Sequence, residues 1–245
     1  MVLSGAGVST CSGIPDYLNI PDYYYEGEYY TYEELMSHEC YQDRPDLFWS
    51  YYQTHTDSFR GIEVNEAHKF CGELHRMGLL RGVITQNVDG LYRRVVPLTK
   101  LIELHGNYKQ LICSGCHKKV KAEYIGKDSR RRSICCRALI KPDILLIGER
   151  YTKQKRLKVS KMLEGADTLI VMGTRLRYPY LQQIVSEFKG TKILINNQRV
   201  EVDQMFPAPY GYQTYLMDWD EEYLIDFTNF NSDDWVELLR NRVGK

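Results

Sequence analysis

The chain has no excess of charge of either sign: its 32 lysines and arginines are matched by 32 aspartates and glutamates. Neither a nucleic-acid backbone nor an anionic membrane would attract the molecule as a whole, so direct nucleic-acid binding is not expected beyond what a local basic patch would allow. No run approaches the roughly 18 consecutive apolar residues of a membrane span. The opening Met1-Val2-Leu3-Ser4-Gly5 has no basic region or long apolar stretch, so it does not read as a secretory signal. Internal repeats are missing, and usage of 43% apolar and 26% charged residues excludes disorder and low complexity. These absences point to a soluble intracellular protein, cytoplasmic or nuclear, and we expect a monomer.

The 245 residues suit one large α/β domain, or such a domain with a smaller module inserted. The seven cysteines stand at 11, 40, 71, 113, 116, 135 and 136. An odd number without an export signal argues against a disulfide framework. Crowding of four between 113 and 136 suggests a metal instead. The 20 tyrosines are an excess that composition does not explain.

Strand-like runs at Gly82–Thr85, Thr168–Met172, Lys192–Asn196 and Gln213–Met217 alternate with amphipathic stretches at Glu63–Met77, Lys153–Glu164 and Tyr180–Lys189. That succession predicts a mostly parallel sheet with helices on both faces and a ligand at the carboxyl ends of its strands. Residues 17–60 break the pattern: they are rich in Tyr and acids and read as a long loop followed by helices near Tyr32–Ser37 and Pro45–Tyr52. Residues 110–140 break it again with a basic, cysteine-bearing insertion carrying Lys118, Lys119, Lys121 and Arg130–Arg132. Met1-Val2-Leu3 supplies barely a strand before the first glycines, which suggests missing upstream residues or a naturally short start.

Gly5-Ala6-Gly7-Val8-Ser9 follows that strand stump, where glycines let backbone approach a phosphate at a helix N-terminus. The third glycine of the dinucleotide fingerprint is lacking, and alone the motif is no more than a tight turn. Ser12-Gly13-Ile14-Pro15-Asp16-Tyr17 then delivers a carboxylate and an aromatic ring. Gln86, Asn87 and Asp89 end the Gly82–Thr85 strand, placed either to contact a ligand or to close an Asx-type turn. His105, at the tip of the Leu101–Leu104 run, is a candidate general base because imidazole titrates near neutrality. His38, His55, His68, His75 and His117 read as ordinary structural histidines.

In this order, Gly-Ala-Gly-x-Ser, Ser-Gly-Ile-Pro-Asp-aromatic, Thr-Gln-Asn-x-Asp-Gly, Glu-Leu-His-Gly, a Cys-x-x-Cys cluster, Lys-Pro-Asp with Gly-Glu, Gly-Thr and Ile-Asn, the motifs resemble the sirtuin family from about Leu3 to Asn196. The resemblance implies an NAD-dependent protein lysine deacylase (deacetylase) that acts on an acylated lysine of a protein substrate and releases nicotinamide and O-acyl-ADP-ribose. It implies an α/β fold, with a Rossmann-type mostly parallel sheet and a small helical and zinc-binding module inserted. Residues 1–16, 62–109 and 141–245 would form the NAD-binding domain, 17–61 the cofactor-binding loop and helical part of a small domain, and 110–140 the zinc module.

Carried over residue by residue, Gly5, Ala6 and Gly7 would cradle the pyrophosphate of NAD, Ser9 and Asp16 would belong to the same cofactor site, and Tyr17 would replace the Phe that covers the ribose. Gln86, Asn87 and Asp89 would line the nicotinamide-ribose pocket, with Asn87 orienting the reacting groups and His105 acting as general base. Gly173, Thr174 and Asn196 would hold the adenosine half. Ile144 and Leu145 would pair with the substrate backbone, and Ile147 and Gly148 would shape the acyl-lysine tunnel. The stretch Tyr52-Gln53-Thr54-His55 stands where acid-selective members carry Tyr-x-x-Arg. Without a guanidinium fork, neutral acyl groups are expected.

The family's second cysteine pair would place a thiol at 133, where this chain has Ser133. Cys113, Cys116 and Cys136 match the pattern, and Cys135 is the nearest spare thiol for Zn2+. His117 or a three-thiol site are the alternatives. Leu18 and Arg175 replace an Arg and a Ser on the cofactor side. These departures keep two other readings open: an ADP-ribosyltransferase or NAD glycohydrolase using the same pocket, and a catalytically degenerate sirtuin that binds a nucleotide or a protein.

Overall fold

The computed structural model describes residues 1–16, 19–121, 131–200 and 219–243. The expected strand Gln213–Met217, together with Tyr17, Leu18 and Arg130, lies outside them. In chain order the elements begin with β1 (Val2–Ser4), α1 (Gly7–Thr10), the hairpin β2 (Tyr23–Tyr25) and β3 (Glu28–Tyr30), and the helices α2 (Tyr32–Leu35), α3 (His38–Asp43), α4 (Pro45–Asp57) and α5 (Glu66–Arg76). Next come β4 (Val83–Thr85), β5 (Leu101–Glu103), β6 (Gly106–Cys113), β7 (Lys119–Val120), β8 (Ile140–Ile144), α6 (Lys153–Leu163) and β9 (Thr168–Met172). The chain continues through α7 (Pro179–Glu187), β10 (Thr191–Asn196), β11 (Glu221–Leu224) and α8 (Ser232–Val243).

Six strands form one parallel sheet in the order β11-β10-β9-β1-β4-β5. Numbered by their own succession, these strands follow the doubly wound order in which the first and fourth lie side by side. The topological switch point therefore falls between β1 and β9, where Ser4 is in register with Met172. β1 is only three residues long. It is held because it pairs on both edges, with Val2 opposite both Val83 and Ile170, and because Val2 and Leu3 are fully buried. Burial of that kind contributes about 1.5–3 kcal/mol per aliphatic side chain.

Side chains alternate across the sheet, as the two-residue strand period requires. Val2, Val83, Ile170, Met172, Ile193 and Ile195 face one side, where α5 and α8 cover them. Leu3, Ile84, Leu169, Val171 and Leu194 face the other, against α6 and α7. Both faces are thus apolar, which is why the strand runs read as continuously hydrophobic rather than alternating. The entry to α5 is fixed by Asn65, whose side chain accepts from the Ala67 and His68 N–H groups and donates to the Val8 carbonyl. This contact ties the helix to the turn after β1.

The expected helices at Glu63–Met77, Lys153–Glu164 and Tyr180–Lys189 are α5, α6 and α7: α5 is shorter by three residues at its start and one at its end, α6 is shorter by one at its end, and α7 starts one residue earlier and ends two residues earlier. The 17–60 segment holds α2 and α4 near the expected positions, and adds the helix α3 and the small β2–β3 hairpin, whose Tyr24 and Tyr29 are exposed. Here the tyrosine excess finds its account. Tyr41, Tyr51 and Tyr52 are buried with Phe48 and Trp49, and Tyr23, Tyr25, Tyr30, Tyr32 and Tyr108 pack around them. Edge-to-face contacts link these rings, such as Tyr41 to Phe48 with centroids 5.4 Å apart. The inserted module is a three-stranded antiparallel sheet, β7-β6-β8. It reaches beyond residues 110–140 at both ends, because Gly106 pairs with Ile144.

Candidate active site

Two loops meet at the switch point, and glycine is what allows them to meet. A Cβ on Gly5 would lie 2.6 Å from the Thr174 Cβ, and one on Gly7 would lie 2.9 Å from the Gly173 carbonyl oxygen. Gly173 has φ +56°, and a Cβ there would reach within 2.5 Å of the Val8 nitrogen. The Gly5 and Gly7 N–H groups close this contact by donating to the Met172 and Gly173 carbonyls. Ala6 N–H, half-exposed between them, has no partner among the described residues. The turn therefore offers an open donor at the carboxyl ends of β1 and β9, where an anionic phosphate is favoured. Its donor set fits a dinucleotide.

A buried polar network runs from this turn to the end of β4. The Ser9 hydroxyl donates to Asp89 Oδ2 (2.8 Å) and accepts from Asn87 Nδ2 (2.9 Å). The other Asp89 oxygen accepts from the Leu91 N–H at 2.8 Å. Burial raises the Asp89 carboxyl above its ordinary range, and the Leu91 and Ser9 donors oppose that rise. Gln86 Nε2 donates to Thr174 Oγ1 at 2.7 Å, bridging the end of β4 to the second glycine loop. Asn196, at the end of β10, donates to the Thr174 carbonyl at 3.3 Å. Gln86, Asn87, Asp89, Ser9, Gly173, Thr174 and Asn196 are thus connected through direct contacts. Ser4 and Thr85 reinforce them with a fully buried hydroxyl pair at 2.9 Å, one that no motif marks in the sequence. Asp16 accepts from Asn19 Nδ2 (2.9 Å). Arg175 is exposed beside Thr174.

His105 stands where β5 turns into β6. The turn needs Gly106, whose φ is +92° and whose Cβ would lie 1.8 Å from the Asp143 carbonyl oxygen. Desolvation, aided by the Lys155 ammonium, pushes the imidazole far below its usual pKa, and a bond to the Gln86 backbone only partly opposes this. The ring is accordingly neutral in the working range. Its Nε2 lies 2.7 Å from the Tyr151 hydroxyl, while Lys155 Nζ donates to the neighbouring Leu104 carbonyl at 2.9 Å. Sequence reasoning missed both residues. Lys155 looked like one cation of an amphipathic helix, and Tyr151 carried no signal at all. By contrast, His55 and His68 are structural: burial lowers both to about 4. His55 is packed among Tyr51, Tyr32 and Phe59, and the Tyr52 hydroxyl donates to the Tyr108 carbonyl.

The strap after β8 is pinned over this site. Ile144 is in register with Gly106, and the Leu145 N–H donates to the His105 carbonyl at 2.7 Å. Ile147 exchanges backbone bonds with Met36 and His38 of the helical segment. Glu149 holds the strap closed by accepting from the Leu146 N–H (2.9 Å) and pairing with the buried Lys141 (2.5 Å). Gly148 turns the chain between them with φ +91°.

At the far end of β6, the sulfurs of Cys113, Cys116, Cys135 and Cys136 all lie within 4.8 Å of one another. Tetrahedral coordination with bonds of about 2.3 Å has sulfur–sulfur edges of about 3.8 Å, which this grouping reaches with small shifts, so the donor set fits a structural zinc. Cys135 supplies the fourth thiol, and His117 is not part of the group. Ser133 stays buried beside the cluster, its hydroxyl 3.1 Å from the Cys113 sulfur.

Fold and site together define a doubly wound nucleotide-binding domain with an inserted four-cysteine module and a neutral histidine at the carboxyl end of β5. The model of the Sir2 family matches residues 5–178. A protein of Pyrococcus abyssi named NAD-dependent protein deacylase is 34% identical over 208 residues, covering 80% of each chain. A Sulfolobus acidocaldarius protein named NAD-dependent protein deacetylase is also 34% identical, covering 83% of this chain and 81% of its own. Among solved structures, a Sir2 complex with a p53 peptide and NAD+ superimposes with a TM-score of 0.74 at 26% identity, covering 97% of this chain and 91% of that one. The chain belongs to the Sir2 family. Among the described residues, no helix is long and apolar enough to cross a membrane.

Proposed function

We propose that this chain is an NAD-dependent protein lysine deacylase, releasing nicotinamide and O-acyl-ADP-ribose, with His105 as general base. The observation that carries the reading is the place of His105 at the carboxyl end of β5, beside the end of its paired strand β4, where the Gln86 side chain holds Thr174 of the glycine cradle. When bound, NAD supplies an electrophilic ribose carbon and a leaving group. The Gly5-Ala6-Gly7 turn and Gly173, Thr174 and Asn196 hold its pyrophosphate and adenosine. Ser9, Asn87 and Asp89 fix the nicotinamide side, with Asp16 in the same cofactor site. His105 takes the proton of a ribose hydroxyl at Nε2, a role worth about 10²–10⁴ in rate.

The acyl-lysine strand of a protein substrate lies against the strap of Ile144, Leu145, Ile147 and Gly148. Its acyl group is neutral, since the Tyr52–His55 stretch offers no charged partner: His55 is held uncharged by burial. Zn2+ on Cys113, Cys116, Cys135 and Cys136 is structural, and the chain works as an intracellular monomer. The test is nicotinamide release by purified protein with and without acylated lysine peptides, with peptide mass followed in parallel and His105→Ala run beside the wild type. Peptide-dependent release of free lysine, lost in His105→Ala, is expected. Release without peptide would establish NAD hydrolysis or ADP-ribosyl transfer instead, and no release from folded protein would establish a binding protein.

A further inference from the structure

The imidazole of His105 is already occupied. Its Nε2 is 2.7 Å from the Tyr151 hydroxyl, and the two rings stack with centroids 5.8 Å apart at 17°. Tyr178 closes a second side of the imidazole edge-on at 5.0 Å, and Tyr180 backs Tyr151 at 5.1 Å. Arg156 in turn lies over the Tyr180 ring at 5.3 Å.

The direction of the key bond follows from the proposed role of the ring. A general base presents its lone pair at Nε2, so the neutral imidazole carries its proton on Nδ1. Tyr151 donates to that lone pair. It remains protonated throughout the working range, because burial raises its phenol far above the ordinary value. A neutral imidazole nitrogen has one lone pair and takes one donor. General-base catalysis needs the same lone pair for the substrate hydroxyl.

We propose that Tyr151 is a positioning residue which occupies the acceptor nitrogen of His105 in the free protein and yields it to the sugar hydroxyl of the bound nucleotide. This rests on the deacylase reading of His105. The tyrosine mimics the hydroxyl it gives way to and keeps the acceptor nitrogen occupied until that hydroxyl arrives. Each binding event must exchange one hydrogen bond for another. The residue sits on the segment joining the substrate strap to α6, so its displacement is mechanically coupled to the strap that Glu149 closes.

Tyr151→Phe keeps the ring and its stacking and removes the donor. Loss of a hydrogen bond to the neutral imidazole favours the charged form, so the His105 imidazole titrates at higher pH in the free variant, read by NMR. The same change removes a competitor of the sugar hydroxyl. kcat/KM rises about two- to tenfold, the net worth of one such bond, its acid limb moves to higher pH, and the acid limb of kcat stays where it is. An unmoved titration overturns the proposal, as does a fall in kcat/KM, which would make Tyr151 a required support of the productive complex. Absence of deacylation in the wild type defeats the deacylase reading and with it the exchange, whereas the titration alone reports the bond. Should Tyr151→Phe fail to fold, adding ADP-ribose to the wild type serves: the His105 titration shifts if the sugar replaces Tyr151, and a static signal overturns the proposal.

Discussion

Replacing Ser9 with alanine tests the network that holds Asn87 and Asp89 in place. Ser9 is 1% exposed, and its one hydroxyl makes two bonds, donating to Asp89 at 2.8 Å and accepting from Asn87 at 2.9 Å. The bond to the carboxylate is worth about 1.5–3 kcal/mol and the neutral one about 0.5–1.5 kcal/mol, and no water-filled space replaces them at a fully buried site. The Leu91 N–H continues to serve the other Asp89 oxygen, which limits the loss. We expect Ser9→Ala to cost about 3 kcal/mol. For a chain of this length that lowers Tm by about 6–12 °C. The assay is thermal unfolding of the wild type, Ser9→Ala, Asn87→Ala and the double variant. Because the Asn87 amide donates to Ser9, the double variant is expected to cost about 0.5–1.5 kcal/mol less than the sum of the singles. A Tm within about 1 °C of wild type, or strict additivity, would refute this account of the site.

His68 is buried and neutral, lowered to about 4 by desolvation, with Nδ1 2.9 Å from Asn65 Oδ1. The unfolded chain protonates it first, near 6.5, so its contribution is complete above that pH and is lost as pH falls toward 4. The swing is about 3 kcal/mol. Urea unfolding of His68→Phe across pH 4–7 should show a flatter profile than the wild type, and parallel profiles would contradict the assignment. At the metal module, Cys135→Ser should lower bound zinc below one ion per chain, measured by elemental analysis, and should make the module sensitive to mild chelation. Full zinc retention in that variant would return His117 or a three-thiol site to consideration.

Much of the scaffold is legible in the order of residues alone. The Thr168–Met172 run is β9 to the residue, and α6 begins at Lys153 as expected. In both, local periodicity and flanking turn residues carry the signal. Several motif residues are legible as well, since Gln86, Asn87, His105, Gly173 and Asn196 stand at the carboxyl ends of β4, β5, β9 and β10, where a doubly wound sheet binds its ligand. The β2–β3 hairpin is not, because alternating exposed tyrosines in an acid-rich segment do not mark a core strand.

What the sequence determined by itself is therefore the alternation of strands and helices in the main sheet and the set of groups available at its strand ends. What only the tertiary structure decided is which of those groups touch. Ser9 meets Asn87 and Asp89 across 78 and 80 residues, and Tyr151 meets His105 across 46. Cys135 takes the fourth thiol position although its spacing from Cys136 departs from the expected pair. His55 becomes a neutral core residue because the helices of the tyrosine cluster close over it. Periodicity along a chain reports the secondary structure a segment adopts. Contacts between distant segments are fixed by how sheet, helices and inserted module pack, and they leave no regular spacing in the sequence to be read.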